Sequence, residues 1–490
     1  MTGSRAVATT AATMVRALVL AALLMAACTP SGPERPSYAL IVVDTLRADA
    51  VSAYGAVSGT TPYVDGLARS GQLYLRAYAD APWTIPSHAS LLSGQAVWRH
   101  GTGVAGRVVV SQGWASVATR LKEAGYETAG FSENPLVSSE FGLDRGFDRF
   151  EAPTVAELVS GRAQTFDAAA RAIGWLDARE SDGPFFLFVN LMHPHEPFEL
   201  RDDNPFLPAG VTDDDARRSL AEHARAICRD LPDRAHLDIL RGLYLGDVAA
   251  ADDAIARLHG RLTRDDKARP LVTIVTSDHG EHLGEHRLLD HQFSVADVLL
   301  HVPLVVHGMP HRAPAIVDDP VALVDVAPSL LAWTGLPLPT DLDGRPLPAT
   351  AAYGDGGEAR VLGAVYSEWR GLQPDDWPAG VPPLWSPTAF GGTPPRSACG
   401  DDARVFGEMV AVRRHPHKLV WFERYPPMLY DLNTDPSEIE DRAREDASTT
   451  ARLRADVDPI VEQLEAHRDD AHRRTSDDAL TALRALGYID

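Results

Sequence analysis

Apolar residues fall along this chain in two rhythms. Short continuous runs occur at Tyr38–Val43, Thr128–Phe131, Phe185–Leu191 and Leu271–Thr276, and each stops at polar residues, among them Asp44, Ser132, His193 and Asp278. Runs this short and unbroken predict strands of a parallel sheet, because helices cover both faces and no position along the strand is solvated. Between them, Trp114–Ala124, Ala168–Ala178 and Leu245–Leu262 carry apolar residues at helical spacing. Strands alternating with helices predict an α/β sandwich around a mainly parallel central sheet, with ligands beyond the carboxyl ends of the strands. Three of the four runs end in residues able to hold a metal or move a proton, so a site is expected there.

The chain then changes character twice. Arg201–Asp238 is acidic and interrupted by Pro, which predicts a surface excursion that borders the pocket. Asp355–Asp402 is dense in Gly and Pro and carries Trp369, Trp377 and Trp385, a composition that fits either a solvated connector or a substrate-facing lid. Beyond it Val405–Val412 and Lys418–Phe422 alternate like antiparallel strands, and Ala451–His467 has the spacing of a closing helix. A smaller C-terminal α+β subdomain over 351–490 is therefore expected after a main domain over 37–350. Asp325, just ahead of an apolar helical stretch, is expected to cap it. The sequence shows no internal repeat and no coiled-coil heptads.

Charge and the ends of the chain narrow the function. At 490 residues and 45% hydrophobic content the chain can bury a large core. Its formal net charge of −22 opposes binding to nucleic acid, so no nucleic-acid partner is expected. An anionic ligand has to be held locally, by a metal ion and a few cationic side chains. Near the N-terminus Arg5 and Arg16 precede an apolar run, Ala17–Ala27, too short for an ordinary membrane-spanning helix and of the kind found in signal peptides. The run ends Leu24-Met25-Ala26-Ala27-Cys28 and resembles the lipobox of bacterial lipoproteins, whose Cys is lipidated and becomes the mature N-terminus; Met25 stands where Leu is usual. That resemblance implies a signal peptide over 1–28, a flexible tether over 29–36, and an exported periplasmic or outer-membrane lipoprotein that meets the membrane by its lipid anchor only. Cys228 and Cys399 form no recognisable framework, and either a disulfide or two unpaired thiols fits.

The candidate chemistry lies in a few segments. Ala81-Pro-Trp-Thr-Ile-Pro-Ser-His-Ala-Ser-Leu-Leu-Ser-Gly94 places Thr84 just before a helix start, where free backbone N–H groups and the positive helix end meet an anion. Taken alone it reads more simply as a capped helix. The segment resembles the nucleophile signature of the sulfatase family, Cys-x-Pro-Ser-Arg-Ala-Ser-Leu-Leu-x-Gly, with Thr84 at the position of the oxidised Cys or Ser and His88 at that of the Arg. Leu40-Ile-Val-Val-Asp-Thr-Leu-Arg-Ala-Asp49 is similar to the family's first metal-binding segment, with Asp44 retained and Thr45 in place of a second Asp. Thr276-Ser-Asp-His-Gly-Glu281 is similar to the second, with the Asp-His pair of phosphonate monoester hydrolases at Asp278 and His279. Leu429-Tyr-Asp-Leu-Asn-Thr-Asp-Pro436 matches a further signature, here read as structural turn chemistry. The likeness runs from about Ser37 to Asp441, and it implies an alkaline-phosphatase-like fold.

The same resemblance implies the site's roles. Asp44, Thr84, Asp278 and His279 become metal ligands, and this mostly hard-oxygen set with one imidazole suits Mg²⁺, Mn²⁺ or Zn²⁺ better than Ca²⁺. With Thr at the nucleophile position no formylglycine is expected. His195, in Pro194-His-Glu-Pro-Phe198, is placed by the resemblance at the leaving oxygen, and His291, where many sulfatases carry a Lys, at the ester's charged oxygens. Ser87, His88 and Arg47 are further candidates for substrate binding; Arg47 could equally serve an internal carboxylate. His193, His282 and His286 read more simply as ordinary histidines. The expected function is metal-dependent hydrolysis of a sulfate or phosphate ester on a small molecule or glycan, by a covalent route through Thr84. A phosphoalcohol transferase using the same Thr, and an anchored binding protein without turnover, are the competing readings.

Overall fold

The structure is a computed structural model describing residues 35–471, apart from 57–58, 104–108, 155–156, 158–165, 227–232, 265–268, 292–293, 349–408 and 424. The leader with Cys28, most of the tether, Cys228, Cys399 and the Gly/Pro-rich stretch with its three Trp lie outside the described residues.

The four apolar runs all form strands, and they are neighbours. With β1 (Ser37–Val43), β2 (Gln72–Tyr74), β3 (Glu127–Ser132), β4 (Arg149–Glu151), β5 (Phe185–Leu191), β6 (Leu271–Thr276), β7 (Leu304–His307) and β8 (Ala315–Val317), the sheet order is β8-β2-β7-β6-β1-β5-β3-β4. Within it β7 runs antiparallel to both of its neighbours, while the other pairings are parallel. Every residue of β1 is buried, as a strand with helices on both faces requires. Its side chains alternate between two cores: Tyr38, Leu40 and Val42 enter one, and Ile41 and Val43 the other.

Helices cover both faces. On the first lie α2 (Thr84–Ser93), α3 (Val117–Glu123) and α7 (Val326–Thr334); on the second lie α1 (Pro62–Ser70), α4 (Ala168–Ala178) and α6 (Arg234–Leu262). Helix α6 begins well before the predicted Leu245, because the Asp233 carboxylate caps it by accepting from the His236 amide at 3.0 Å. The acidic excursion is partly helical: α5 (Asp213–Ala226) opens on Asp213, Asp214 and Asp215, where the helix dipole favours negative charge. Asp325 does not cap α7 with its side chain. Its carboxylate instead accepts from the amides of Ala322 (3.0 Å) and Arg345 (2.7 Å), tying two loops together.

The C-terminal elements are an antiparallel sheet of β9 (Met409–Arg414), β10 (His417–Phe422) and β11 (Met428–Asp431), closed by α8 (Ala447–Ala471). Val410, Val412, Leu419 and Trp421 enter the first core, so this subdomain shares apolar packing with the main one. Fully buried Lys418 joins the two: its ammonium donates to the Val295 carbonyl and to Asp297 Oδ1, both at 2.7 Å, and pairs with Glu438. Arg413 also pairs with Asp297. Among the described residues no helix is long and apolar enough to cross a membrane.

Lys418→Ala leaves Glu438 buried without its partner, so stability should fall by about 3–5 kcal/mol. Chemical denaturation of the two proteins measures this, and a loss below about 1 kcal/mol contradicts the linking role.

Candidate active site

The parallel register delivers polar residues to one edge of the sheet. The adjacent strands β6, β1, β5 and β3 end at Asp278-His279, Asp44, His195 and Asn134, while α2 presents Thr84 as its first residue. The early N–H groups of a helix lack intrahelical partners, so the head of α2 offers donors where Thr84 stands.

Asp44, Thr84, Asp278 and His279 are all fully buried. His279 Nδ1 lies 3.0 Å from the Gly280 carbonyl and donates to it, which leaves the lone pair on Nε2. That Nε2 faces Asp278 Oδ2 at 3.2 Å, Thr84 Oγ1 at 3.4 Å and Asp44 Oδ1 at 3.7 Å. Neither carboxylate oxygen has a hydrogen-bond partner. Each carboxylate is anchored through its other oxygen: Asp44 Oδ2 accepts from Asn134 Nδ2 at 2.7 Å, and Asp278 Oδ1 from the His279 and Thr45 amides at 2.9 and 3.3 Å. Two unpaired buried carboxylate oxygens, one imidazole lone pair and a hydroxyl converging in this way fit a divalent cation. Burial pushes the Asp278 carboxyl up, but His279 and His88 outweigh it and hold it at about 2. Burial pushes His279 down, whereas Asp278 and Asp44 raise it above the usual histidine range.

The backbone around this edge is tightly specified. Thr45 is left-handed (φ 56°), costly for a β-branched residue, and is held there by Tyr244, whose hydroxyl donates to its carbonyl at 2.9 Å. A side chain at Gly280 would collide with the Val298 carbonyl.

His195 and His291 meet over this cluster, with ring centroids 5.1 Å apart, and His291 stacks on His279 at 4.5 Å. His195 Nδ1 donates to the Glu196 carbonyl at 2.6 Å, and its Nε2 has no partner. His291 Nδ1 lies 2.9 Å from Asp290 Oδ1 and 3.4 Å from Glu281 Oε2. Burial disfavours the charged form of His291, but these two carboxylates outweigh it and raise its pKa well above the usual value.

The three residues expected at the substrate, Arg47, Ser87 and His88, all have partners within the protein. Arg47, 3% exposed, donates to Asp49 at 2.6 and 2.8 Å and to Glu285 at 2.8 Å, so its charge belongs to an internal ion-pair cluster. Ser87 gives its hydroxyl proton to the Asp278 carbonyl at 2.7 Å, locking α2 to the end of β6. His88 is buried, donates from Nδ1 to the Thr84 carbonyl at 2.9 Å, and lies 3.4 Å from Asp278 Oδ2; it braces the carboxylate. His193 sits 3.6 Å from Glu133, and His282 is buried on the small hairpin that also carries Asp290.

Asn134, Tyr244, Glu281 and Asp290 were not anticipated. Asn134 follows the Thr128–Phe131 run, Glu281 closes the Thr276–Glu281 segment and Asp290 adjoins His291, so position relative to the strands and histidines was the available signal. Tyr244, inside a helix far along the chain, carried none.

Residues 36–336 match the family model described as Sulfatase. The chain is similar to the multifunctional alkaline phosphatase superfamily protein PehA of Trinickia caryophylli, 24% identical with 91% of this chain and 99% of that one covered. It is 27% identical to the steryl-sulfatase of Mus musculus, over 93% and 86% of the two chains. In fold it resembles the phosphonate monoester hydrolase of Agrobacterium radiobacter, with a TM-score of 0.64, 23% identity and 88% and 96% of the chains covered. With the family model spanning well over half of its length, the chain belongs to the sulfatase family of ester hydrolases, on an alkaline-phosphatase-like α/β fold.

Proposed function

We propose that this protein hydrolyses a sulfate or phosphate ester of an anionic small molecule or glycan through a covalent intermediate on Thr84, and that it needs a divalent cation. The observation carrying the proposal is the convergence of the Thr84 hydroxyl, His279 Nε2 and the unpaired oxygens of Asp44 and Asp278 in one buried cluster. A divalent ion held by these groups lowers the pKa of the Thr84 hydroxyl and offsets the charge of the ester.

In the first step Thr84, ionised once its hydroxyl proton has passed to solvent, forms a bond from its oxygen to sulfur or phosphorus while the bond to the alcohol oxygen breaks. His195 serves that oxygen. With Nδ1–H donated to the Glu196 carbonyl, a proton carried on Nε2 passes to the departing alkoxide, and the ring becomes neutral. In the second step water attacks the same centre, the Thr84–ester bond breaks, and Nε2 takes the water's proton. His291 stands at the oxygens of the transferring group. A Thr ester has no geminal hydroxyl through which to collapse, so water must cleave it at sulfur or phosphorus; this favours phosphate mono- or diesters. The N-terminal pattern Leu24–Cys28 supports export and a lipid anchor in the cell envelope.

Thr84→Ala should abolish turnover with the fold intact, and Thr84→Ser should keep a measurable fraction. Assay against sulfate, phosphate monoester, diester and phosphonate substrates decides this, and near-normal activity of the Ala variant rejects the nucleophile. Asp278→Asn should lower both bound metal and Tm, because an ion bound to the folded state alone stabilises it by mass action; elemental analysis and thermal unfolding report the two.

A general acid matters most when the leaving group is poor. His195→Ala should therefore cost little with a nitrophenyl ester but about 100-fold with an alkyl ester, while His291→Ala should slow both alike. Equal losses on the two substrates for His195→Ala remove it from the acid role.

A further inference from the structure

Beside the Thr84 cluster, Glu281, Asp290 and His291 bring three ligating atoms within 4.8 Å of one another. They are 0%, 1% and 1% exposed. Glu281 Oε1, Asp290 Oδ2 and His291 Nε2 have no hydrogen-bond partner. Unpaired carboxylate oxygens at such depth are strongly unfavourable without a counter-charge.

The surrounding charges do not supply one. Asp44, Asp278, Glu281 and Asp290 form four buried carboxylates along this edge, and among the described residues their ion-pair partners are histidines alone: His88, His279 and His291. Arg47, whose side chain donates to the Glu281 carbonyl, directs its charge to Asp49 and Glu285. A cation in the first cluster offsets Asp44 and Asp278, which leaves Glu281 and Asp290 facing one imidazole. The His291 ring stacks on His279 at 4.5 Å with 29° between planes, so the two clusters adjoin through their imidazoles.

We propose that Glu281, Asp290 and His291 hold a second divalent cation next to the first, a proposal that rests on reading the Thr84 cluster as a metal site. Two carboxylates and one imidazole suit Mn²⁺ or Zn²⁺. The second ion stands on the His195 side of the cluster, where the ring centroids of His195 and His291 are 5.1 Å apart, and places positive charge over the oxygens of the transferring group. A phosphate monoester carries two negative charges where a sulfate monoester or a phosphate diester carries one, so a pair of ions would direct the enzyme toward phosphate monoesters. His291 acts there as a ligand.

The test is metal counting, independent of turnover. The full chain is stripped with a chelator, reloaded with Mn²⁺ and measured by elemental analysis, with circular dichroism as the control for folding. Wild type should hold two ions, Asp290→Asn and Glu281→Gln one each. The electron paramagnetic resonance spectrum of the Mn²⁺ protein should show a coupled pair in wild type and an isolated ion in either variant. A wild type saturating at one ion, lost in Asp278→Asn, overturns the second site and leaves the first standing. Wild type that binds none overturns both, and two ions retained in both Asp290→Asn and Glu281→Gln overturn the ligand assignment.

Discussion

Asp44 and Asp278 lie side by side, fully buried, each with one oxygen unpaired, and this electrostatic demand is what the surrounding structure is organised to meet. Like charges this close and this deep strongly disfavour the folded state unless a cation and fixed hydrogen bonds offset them. The parallel pairing of β1 with β6 sets their spacing, since the register Val42↔Thr276 brings both carboxylates to the same edge. Asn134, the Thr45 and His279 amides and His88 then fix their orientation. Even the left-handed Thr45 belongs to this arrangement, because its amide reaches Asp278 while Tyr244 holds its carbonyl. The strain sits where the charge is, which is the usual place for it in a functional site.

The strands were legible because burial on both faces leaves an unmistakable apolar run. Phe185–Leu191 and Leu271–Thr276 end where hydrophobicity ends. Helix limits were less so: α6 extends back to a cap at Asp233, in a stretch whose acidity and Pro content mask the helical spacing. Of the site, the residues that follow strands directly could be found by that position. Side-chain direction could not. Ser87 and Arg47 sit in the right segments, yet one hydroxyl turns toward the Asp278 carbonyl and one guanidinium toward Asp49 and Glu285, and apart from Asp49 these partners lie about two hundred residues away along the chain. Asn134 and Asp290 carry no motif of their own: the sheet order sets β3 two strands from β1 and brings Asn134 to Asp44, while the small hairpin after β6 carries Asp290.

The C-terminal sheet contributes through charge as well as apolar packing. Lys418 is buried against Asp297 and Glu438, and Asp297 begins a short helix whose following strand leads into β7, next to β6. The Val298 carbonyl from that same short helix presses on Gly280, directly beside His279. The position of a metal-competent imidazole is thus linked, through one helical turn, to an ion cluster in the other subdomain.

Where the family pattern has an Arg, this chain has His88, and where many sulfatases have a substrate-binding Lys, it has His291. Both replacements exchange a permanent cation for a side chain whose charge depends on its surroundings. The surroundings here are Asp278 for the first and Asp290 with Glu281 for the second, so each imidazole stands next to carboxylate instead of facing the substrate as a free positive charge. Arg47, the remaining guanidinium at this edge, is held by Asp49 and Glu285. Among the described residues the site therefore gathers carboxylates and imidazoles where an anionic ester must bind. A divalent cation held at such carboxylates would supply the positive charge that an anionic ester needs, and the larger the charge on the transferring group, the more of its binding that cation would carry.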